Sequence, residues 1–175
     1  LGVRLKDMEN VIRRQDSIMS RLTNTVKDAL LGFNADELTV NMRDGKVYVS
    51  MSDKLLFKSG STDVENKGKT ALEKLANVLN KNPDVSIAIE GHTDNVPIKT
   101  SQYADNWDLS AARATNVVRL LTTAYKMDPH RLTASGRGEF FPIADNATSE
   151  GKAKNRRTEI VLSPKLDELM KAISK

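Results

Sequence analysis

Residues 90–113 read EGHTDNVPIKTSQYADNWDLSAAR. Before this stretch, Val85, Ile87 and Ile89 alternate with polar residues and predict a strand ending at Gly91. After it, Leu109, Ala112, Asn116, Val117, Leu120, Leu121 and Ala124 recur at helical spacing and predict a helix from about Trp107 to Lys126, capped by Asp105 or Asn106. The stretch is therefore a strand-to-helix crossing. It places an acid, Asp94, just past the strand and a base, Arg113, in the first turns of the helix, with a long polar loop between them. At about 100° per residue Arg113 falls near the middle of the apolar stripe, so its guanidinium faces the core side. Its neighbours three and four positions away are Leu109, Ser110, Asn116 and Val117, none of them acidic, so its anion must come from elsewhere. One reading is a buried arginine satisfied, for stability, by backbone carbonyls or by a carboxylate of another segment. The other is a binding clamp shared with Asp94.

Composition narrows the function classes. The chain has 175 residues, enough for one domain with a real core plus an appendage, and no cysteine, which removes disulfides and thiolate metal sites. A net charge of +4, from 27 basic and 23 acidic residues without a basic run interleaved with aromatics, gives no support to nucleic-acid binding. No apolar run approaches the roughly 18 residues of a membrane span, and no signal peptide is present. Because the chain begins at Leu1 rather than Met, we expect a fragment whose anchor lies outside it, and membrane attachment only through that anchor.

Outward from the crossing, the predicted organisation is an N-terminal helix or coiled-coil spacer over residues 1–31, a domain over 36–163 and a short helix over 164–175. In the first, Leu5, Met8, Ile12, Gln15, Met19, Leu22, Val26 and Ala29 alternate spacings of three and four, the pattern of a coiled-coil seam. A homodimer through this helix is one expectation and a single helix lying on its own domain is the other; Val11 and Ile18 widen the apolar face. Gly32 is the predicted stop. Leu38, Val40 and Met42, then Asp44-Gly45, then Val47, Val49 and Met51 predict a hairpin. Thr62-Asp63-Val64-Glu65 has the form of a capping box opening a helix that ends at Asn82-Pro83. Arg131 to Ser135 reads as a short strand, Phe140 to Asn155 as a turn-rich loop, and Thr158 to Ser163 as the last strand. Leu166, Leu169, Met170 and Ile173 mark the terminal helix. The fold class expected is α+β: a two-layer mixed sheet with helices packed on one face.

Few residues could carry chemistry. His92 and Asp94 would share a face if extension persists, but zinc usually needs three protein ligands and His130 sits beside Pro129 with no spacing motif, so no metal or other cofactor is expected. His92 reads instead as a ring that holds the loop. With no cysteine, no nucleophile elbow and no serine beside an evident base, the chain is not expected to be an enzyme. Asp94 and Arg113 together suit a zwitterion: the carboxylate accepts from an ammonium and the guanidinium takes a carboxylate with two parallel bonds. Arg156 or Arg157 offers a further anion contact, or is merely solvated.

The pattern Glu90-Gly91-His92-Thr93-Asp94, Asn106, Leu109-Ser110-Ala111-Ala112-Arg113-Ala114, Arg131-Leu132, Gly136-Arg137-Gly138-Glu139, Pro142-Ile143, Asn146 and Asn155-Arg156-Arg157 resembles the OmpA-like C-terminal domain family over roughly residues 46 to 163. The resemblance implies non-catalytic binding of peptidoglycan in the periplasm. It implies that Asp94 and Arg113 hold the amino-acid head of diaminopimelate in the stem peptide, with Thr93, Asn106, Leu109 and Arg156 lining the pocket. It also implies attachment to the outer membrane through a lipoprotein or barrel anchor, or else to the inner membrane. Asn95-Val96-Pro97-Ile98 and the long excursion through Tyr103 to Trp107 depart from many members and locally resemble the flagellar-stator, MotB-like branch. Gly60 stands where some relatives carry a polar pocket residue. The alternative function is a stator-like or secretion-associated assembly protein in which the coiled coil is the working part.

Overall fold

The computed structural model describes residues 2–165 together with Asp167, Lys171 and Ser174. The terminal helix expected from Leu166, Leu169, Met170 and Ile173 lies outside the described residues. The elements are α1 (Gly2–Ala29), β1 (Leu38–Arg43), β2 (Lys46–Ser52), α2 (Asp53–Leu56), α3 (Asn66–Asn80), β3 (Val85–His92), α4 (Asn106–Thr123), β4 (Leu132–Gly136), α5 (Ser149–Asn155) and β5 (Arg157–Pro164). The strands form one mixed sheet in the order β1-β2-β5-β3-β4, antiparallel except for the β3–β4 pair. Alternation turns Val47, Val49, Met51, Ile87, Ile89, Ile160 and Leu162 toward one layer, where they meet the buried stripes of α1, α3 and α4. The two-layer α+β architecture is as the sequence predicts.

The hairpin turn is Asp44-Gly45, with both residues at positive φ (51° and 74°), the conformation that a two-residue turn between twisted strands requires. α4 crosses from β3 to the parallel strand β4 and lies directly on both. A Cβ on Gly91 would stand 2.2 Å from the Ser110 carbonyl oxygen, and one on Gly136 would stand 2.7 Å from the Ala111 nitrogen. Glycine at these two positions is what brings the first turns of α4 down to the strand ends.

Three local expectations are corrected. Thr62–Glu65 is not a capping box: α3 starts at Asn66 with Glu65 as its cap, no side chain bonds that cap, and Val64 pairs with Phe57 in an isolated β-bridge that keeps the segment extended. The 140–155 loop contains α5, whose Thr148 cap accepts from the Gly151 N–H; its short polar sequence has no apolar periodicity to reveal it. Arg131 ends a 3-10 turn, and its strand begins at Leu132.

The N-terminal helix divides in two. Met19, Leu22 and Val26 are buried in the domain core, as a helix lying on its own domain requires. Val3, Leu5, Ile12 and Ile18 remain exposed. Gln15, the polar residue of the seam, donates from Nε2 to the Lys165 carbonyl at 3.2 Å.

Candidate functional site

The register of the three central strands builds the site. Arg157 stands opposite Ser52 on one side and opposite His92 on the other, so the end of β2, the start of β5 and the end of β3 lie side by side. The residues just beyond them, Asp53, Arg156 and Thr93-Asp94, therefore converge. α4 delivers Asn106, Leu109 and Arg113 to the same end of the sheet. Asp94, Arg113, Thr93, Asn106, Leu109 and Arg156 all line one cleft of about 1180 Å³.

The arginine and the aspartate are each held by another residue rather than by one another. Arg113 is 4% exposed; its Nη1 donates to Asp53 Oδ1 at 2.5 Å, its Nε donates to the Ser61 carbonyl at 3.0 Å, and its guanidinium carbon lies 4.8 Å from the centre of the Phe57 ring. Asp94 is 7% exposed; Oδ2 accepts from Arg156 Nη1 at 2.6 Å and Oδ1 from the Val96 N–H at 3.0 Å. A guanidinium has five N–H donors and an ionised carboxylate about four acceptor positions, so both groups keep capacity for a ligand. Four charges, two of each sign, stand at the cleft floor. They are neutral in sum, and a zwitterion would add no net charge. Burial pushes the Asp53 carboxyl above its usual range, against the pull of the Arg113 guanidinium and of Arg156.

Thr93 and Asn106 fix the backbone around the acid. The Thr93 N–H donates to the Gly138 carbonyl at 2.9 Å and its hydroxyl to the Asp94 carbonyl at 2.8 Å, while Asn106 Nδ2 donates to the Val96 carbonyl at 3.1 Å. The loop after Asp94 forms a wall: Val96, Pro97 and Ile98 line the cleft. Its far end is tied across to the facing loop, where the Tyr103 hydroxyl bonds Thr62 Oγ1 at 3.2 Å and Asn116 Nδ2 donates to the Thr62 carbonyl at 2.8 Å. Asp105 caps α4 by accepting from the Asp108 N–H at 3.0 Å.

His92 does not join Asp94. Its ring is buried between Glu90 and Glu159, with Nε2 3.7 Å from one carboxylate and 3.9 Å from the other, both longer than a hydrogen bond. Glu159 also accepts from Arg157 Nε at 2.9 Å. The neighbouring His92, with Arg137 and Arg157, holds the Glu90 carboxyl below its ordinary range despite partial burial. Of the two adjacent arginines, Arg156 faces the cleft, whereas Arg157 turns to Glu159 and the Asn155 and Phe141 carbonyls.

Sequence reasoning missed Asp53, the partner of Arg113 across 60 positions. The signal available was its place: an acid directly after an alternating strand, in a Ser52-Asp53 pair where Ser52 caps α2 by accepting from the Leu55 N–H.

Comparison with known proteins identifies the family and the fold. The OmpA family model matches residues 56–156. Motility protein B of Bacillus subtilis is 35% identical over 150 residues, covering 86% of this chain and 56% of that protein. This chain thus spans little more than half the length of that relative. Two solved structures superpose well. A putative MotB like protein from Desulfovibrio vulgaris has a TM-score of 0.79 at 26% identity, covering 90% of this chain and 96% of that one. The cell wall anchor of the T6SS from Pseudomonas aeruginosa has a TM-score of 0.72 at 35% identity, covering 84% and 99%. With more than half of its residues matched by the family model and the fold shared with these MotB-like and cell-wall-anchor domains, the chain belongs to the OmpA family.

Proposed function

We propose that this domain binds peptidoglycan without cleaving it, gripping the zwitterionic head of diaminopimelate in the stem peptide and so tethering an envelope protein to the wall. The observation that carries the reading is the pairing of a buried carboxylate, Asp94, with a buried guanidinium, Arg113, in one cleft, each oriented by an internal partner and each with bonding capacity left over. Asp94 receives the ligand ammonium and Arg113 its carboxylate. Thr93 and Asn106 hold the Asp94 turn, Leu109 supplies an apolar wall for the side-chain methylenes, and Arg156 holds the acid in place through its hydrogen bond. Each charge-assisted bond contributes about 1.5–3 kcal/mol where water is partly excluded. The kinship with a cell wall anchor and with motility protein B supports this assignment. The module then works on the wall side of the membrane that carries its anchor: in the periplasm, attached to the outer membrane through a lipoprotein or barrel or to the inner membrane.

Co-sedimentation with sacculi tests the proposal. Wild-type protein is expected in the pellet, with Asp94→Ala and Arg113→Ala in the supernatant; variants that sediment as well as wild type would end it.

A second reading is favoured by the exposed apolar side chains Val3, Leu5, Ile12 and Ile18 on α1. Here α1 is the working part of a stator-like or secretion-associated assembly, dimeric through this helix, and wall binding immobilises it. Sedimentation equilibrium should then give a dimer that Leu5→Glu with Ile12→Glu converts to monomer.

A further inference from the structure

Among the described residues, the exposed large apolar side chains fall into two sets. Apart from Leu31, one lies on α1, and the other comprises Val96, Trp107, Phe140, Phe141 and Ile143, each 48–60% exposed. In the second set Val96 lines the cleft. Trp107 follows Asn106, which lines the cleft, and Ile143 lines it too. The Trp107 and Phe140 rings stack with centroids 5.0 Å apart and planes 28° from parallel. They sit over Gly138, where φ is +61° and a Cβ would stand 3.4 Å from Phe140 and 3.5 Å from Trp107. The Gly138 carbonyl accepts from the Thr93 N–H, one residue from Asp94. The shelf is therefore built onto the same backbone turn that positions the acid. Beside it the Arg137 guanidinium lies over the Phe141 ring, 4.1 Å from its centre, placing a donor-rich group on an aromatic face.

We infer that this aromatic shelf is a second subsite of the same ligand, taking a pyranose ring of the glycan strand while the stem peptide occupies the cleft; this rests on the proposed cleft reading. A pyranose presents a face of C–H groups that packs on an aromatic ring, with hydroxyl and N-acetyl oxygens around its edge for donors such as Arg137. Rigid aromatic faces with a polar rim suit such a ring better than they suit an aliphatic partner surface. The polymer that carries the stem peptide also carries the sugar, so a peptide held in the cleft brings its sugar to the shelf as an intramolecular event.

The chain contains a single tryptophan, so its fluorescence reports on the shelf directly. The test compares, by calorimetry and tryptophan emission, a diaminopimelate-containing stem tripeptide with the same peptide joined to its N-acetylglucosamine–N-acetylmuramic acid disaccharide. The disaccharide peptide is expected to bind about tenfold more tightly and to shift the emission. Phe140→Ser should bring its affinity down to that of the peptide while leaving the peptide's affinity unchanged. Equal affinities with unchanged emission in the wild type would overturn the inference, as would emission that depends on protein concentration without ligand, which would mark a contact between copies. Failure of the cleft reading looks different: the peptide alone would not bind, whereas amidase-released glycan strands would still shift the emission of both wild type and Arg113→Ala, supporting the shelf on its own.

Discussion

Two buried arginines in this domain are satisfied in different ways. Arg131, 8% exposed, spends its guanidinium on the main chain: Nη1 donates to the Leu79 carbonyl, Nη2 to those of Asn82 and Val85, and Nε again to Val85. These carbonyls lie at the end of α3 and the start of β3, so Arg131 is a helix C-cap reaching in from a distant turn. Burial pulls its pKa below the ordinary value. Arg113 is buried as deeply, yet it faces a cleft, makes one carbonyl bond and one carboxylate bond, and keeps donors to spare. Burial alone does not separate a structural arginine from one proposed to bind a ligand. What separates them is whether the fold uses up the donors.

Substitutions should split along this line. The largest effect expected is on Arg113. Arg113→Ala should weaken peptidoglycan binding about 10- to 150-fold, one charge-assisted bond lost, and should also lower stability by stranding Asp53. Combining Arg113→Met with Asp53→Asn should recover much of that stability in urea unfolding without restoring binding, because removing both partners of a buried pair costs less than removing one. Arg131→Met should reverse the pattern. A loss of about 2–4 kcal/mol in unfolding free energy is expected, since several buried carbonyls lose their donor, with affinity per folded molecule unchanged. Were Arg131→Met to abolish binding in folded protein, the division between the two arginines would fall.

Titration of Asp53 in the cleft and of Glu90 beside His92 sharpens the comparison further. Asp53, with its pKa raised, supports folding fully below the ordinary carboxylate pKa of about 4 and loses that contribution as pH rises through its raised value. Glu90, with its pKa lowered, does the reverse: its contribution is present above the ordinary value and is lost as the solution is acidified through the lowered one. Unfolding free energies measured from about pH 3 to 7 should therefore lose a falling component in Asp53→Asn and a rising one in Glu90→Gln. Smallest of all, Tyr103→Phe removes the hydroxyl that ties the cleft wall to Thr62. It should cost about 0.5–1.5 kcal/mol of stability and no more than about tenfold in affinity.

Much of this was legible because the signals were local. Asp44-Gly45 between two alternating runs fixed the hairpin, and helical spacing turned Arg113 inward before any partner was known. The six residues that the family resemblance grouped do line one cleft. The illegible part was non-local or was decided by tertiary pairing. Asp53 meets Arg113 across 60 positions, a contact set by strand order rather than by spacing. Thr62–Glu65 has the letters of a capping box, but the bridge from Val64 to Phe57 holds it extended. Likewise Met19, Leu22 and Val26 satisfy a heptad and a domain-facing stripe equally well; only the packed core shows that this half of the helix is taken by its own domain.

The zwitterion clamp is tested most directly by changing one charge on the ligand. Calorimetry should compare a stem tripeptide ending in diaminopimelate with one ending in lysine, which keeps the side-chain ammonium but lacks the side-chain carboxylate. Wild-type protein is expected to bind the diaminopimelate peptide at least about tenfold more tightly, and Arg113→Ala to bind both equally weakly. Equal affinity of the wild type for the two peptides would contradict the clamp.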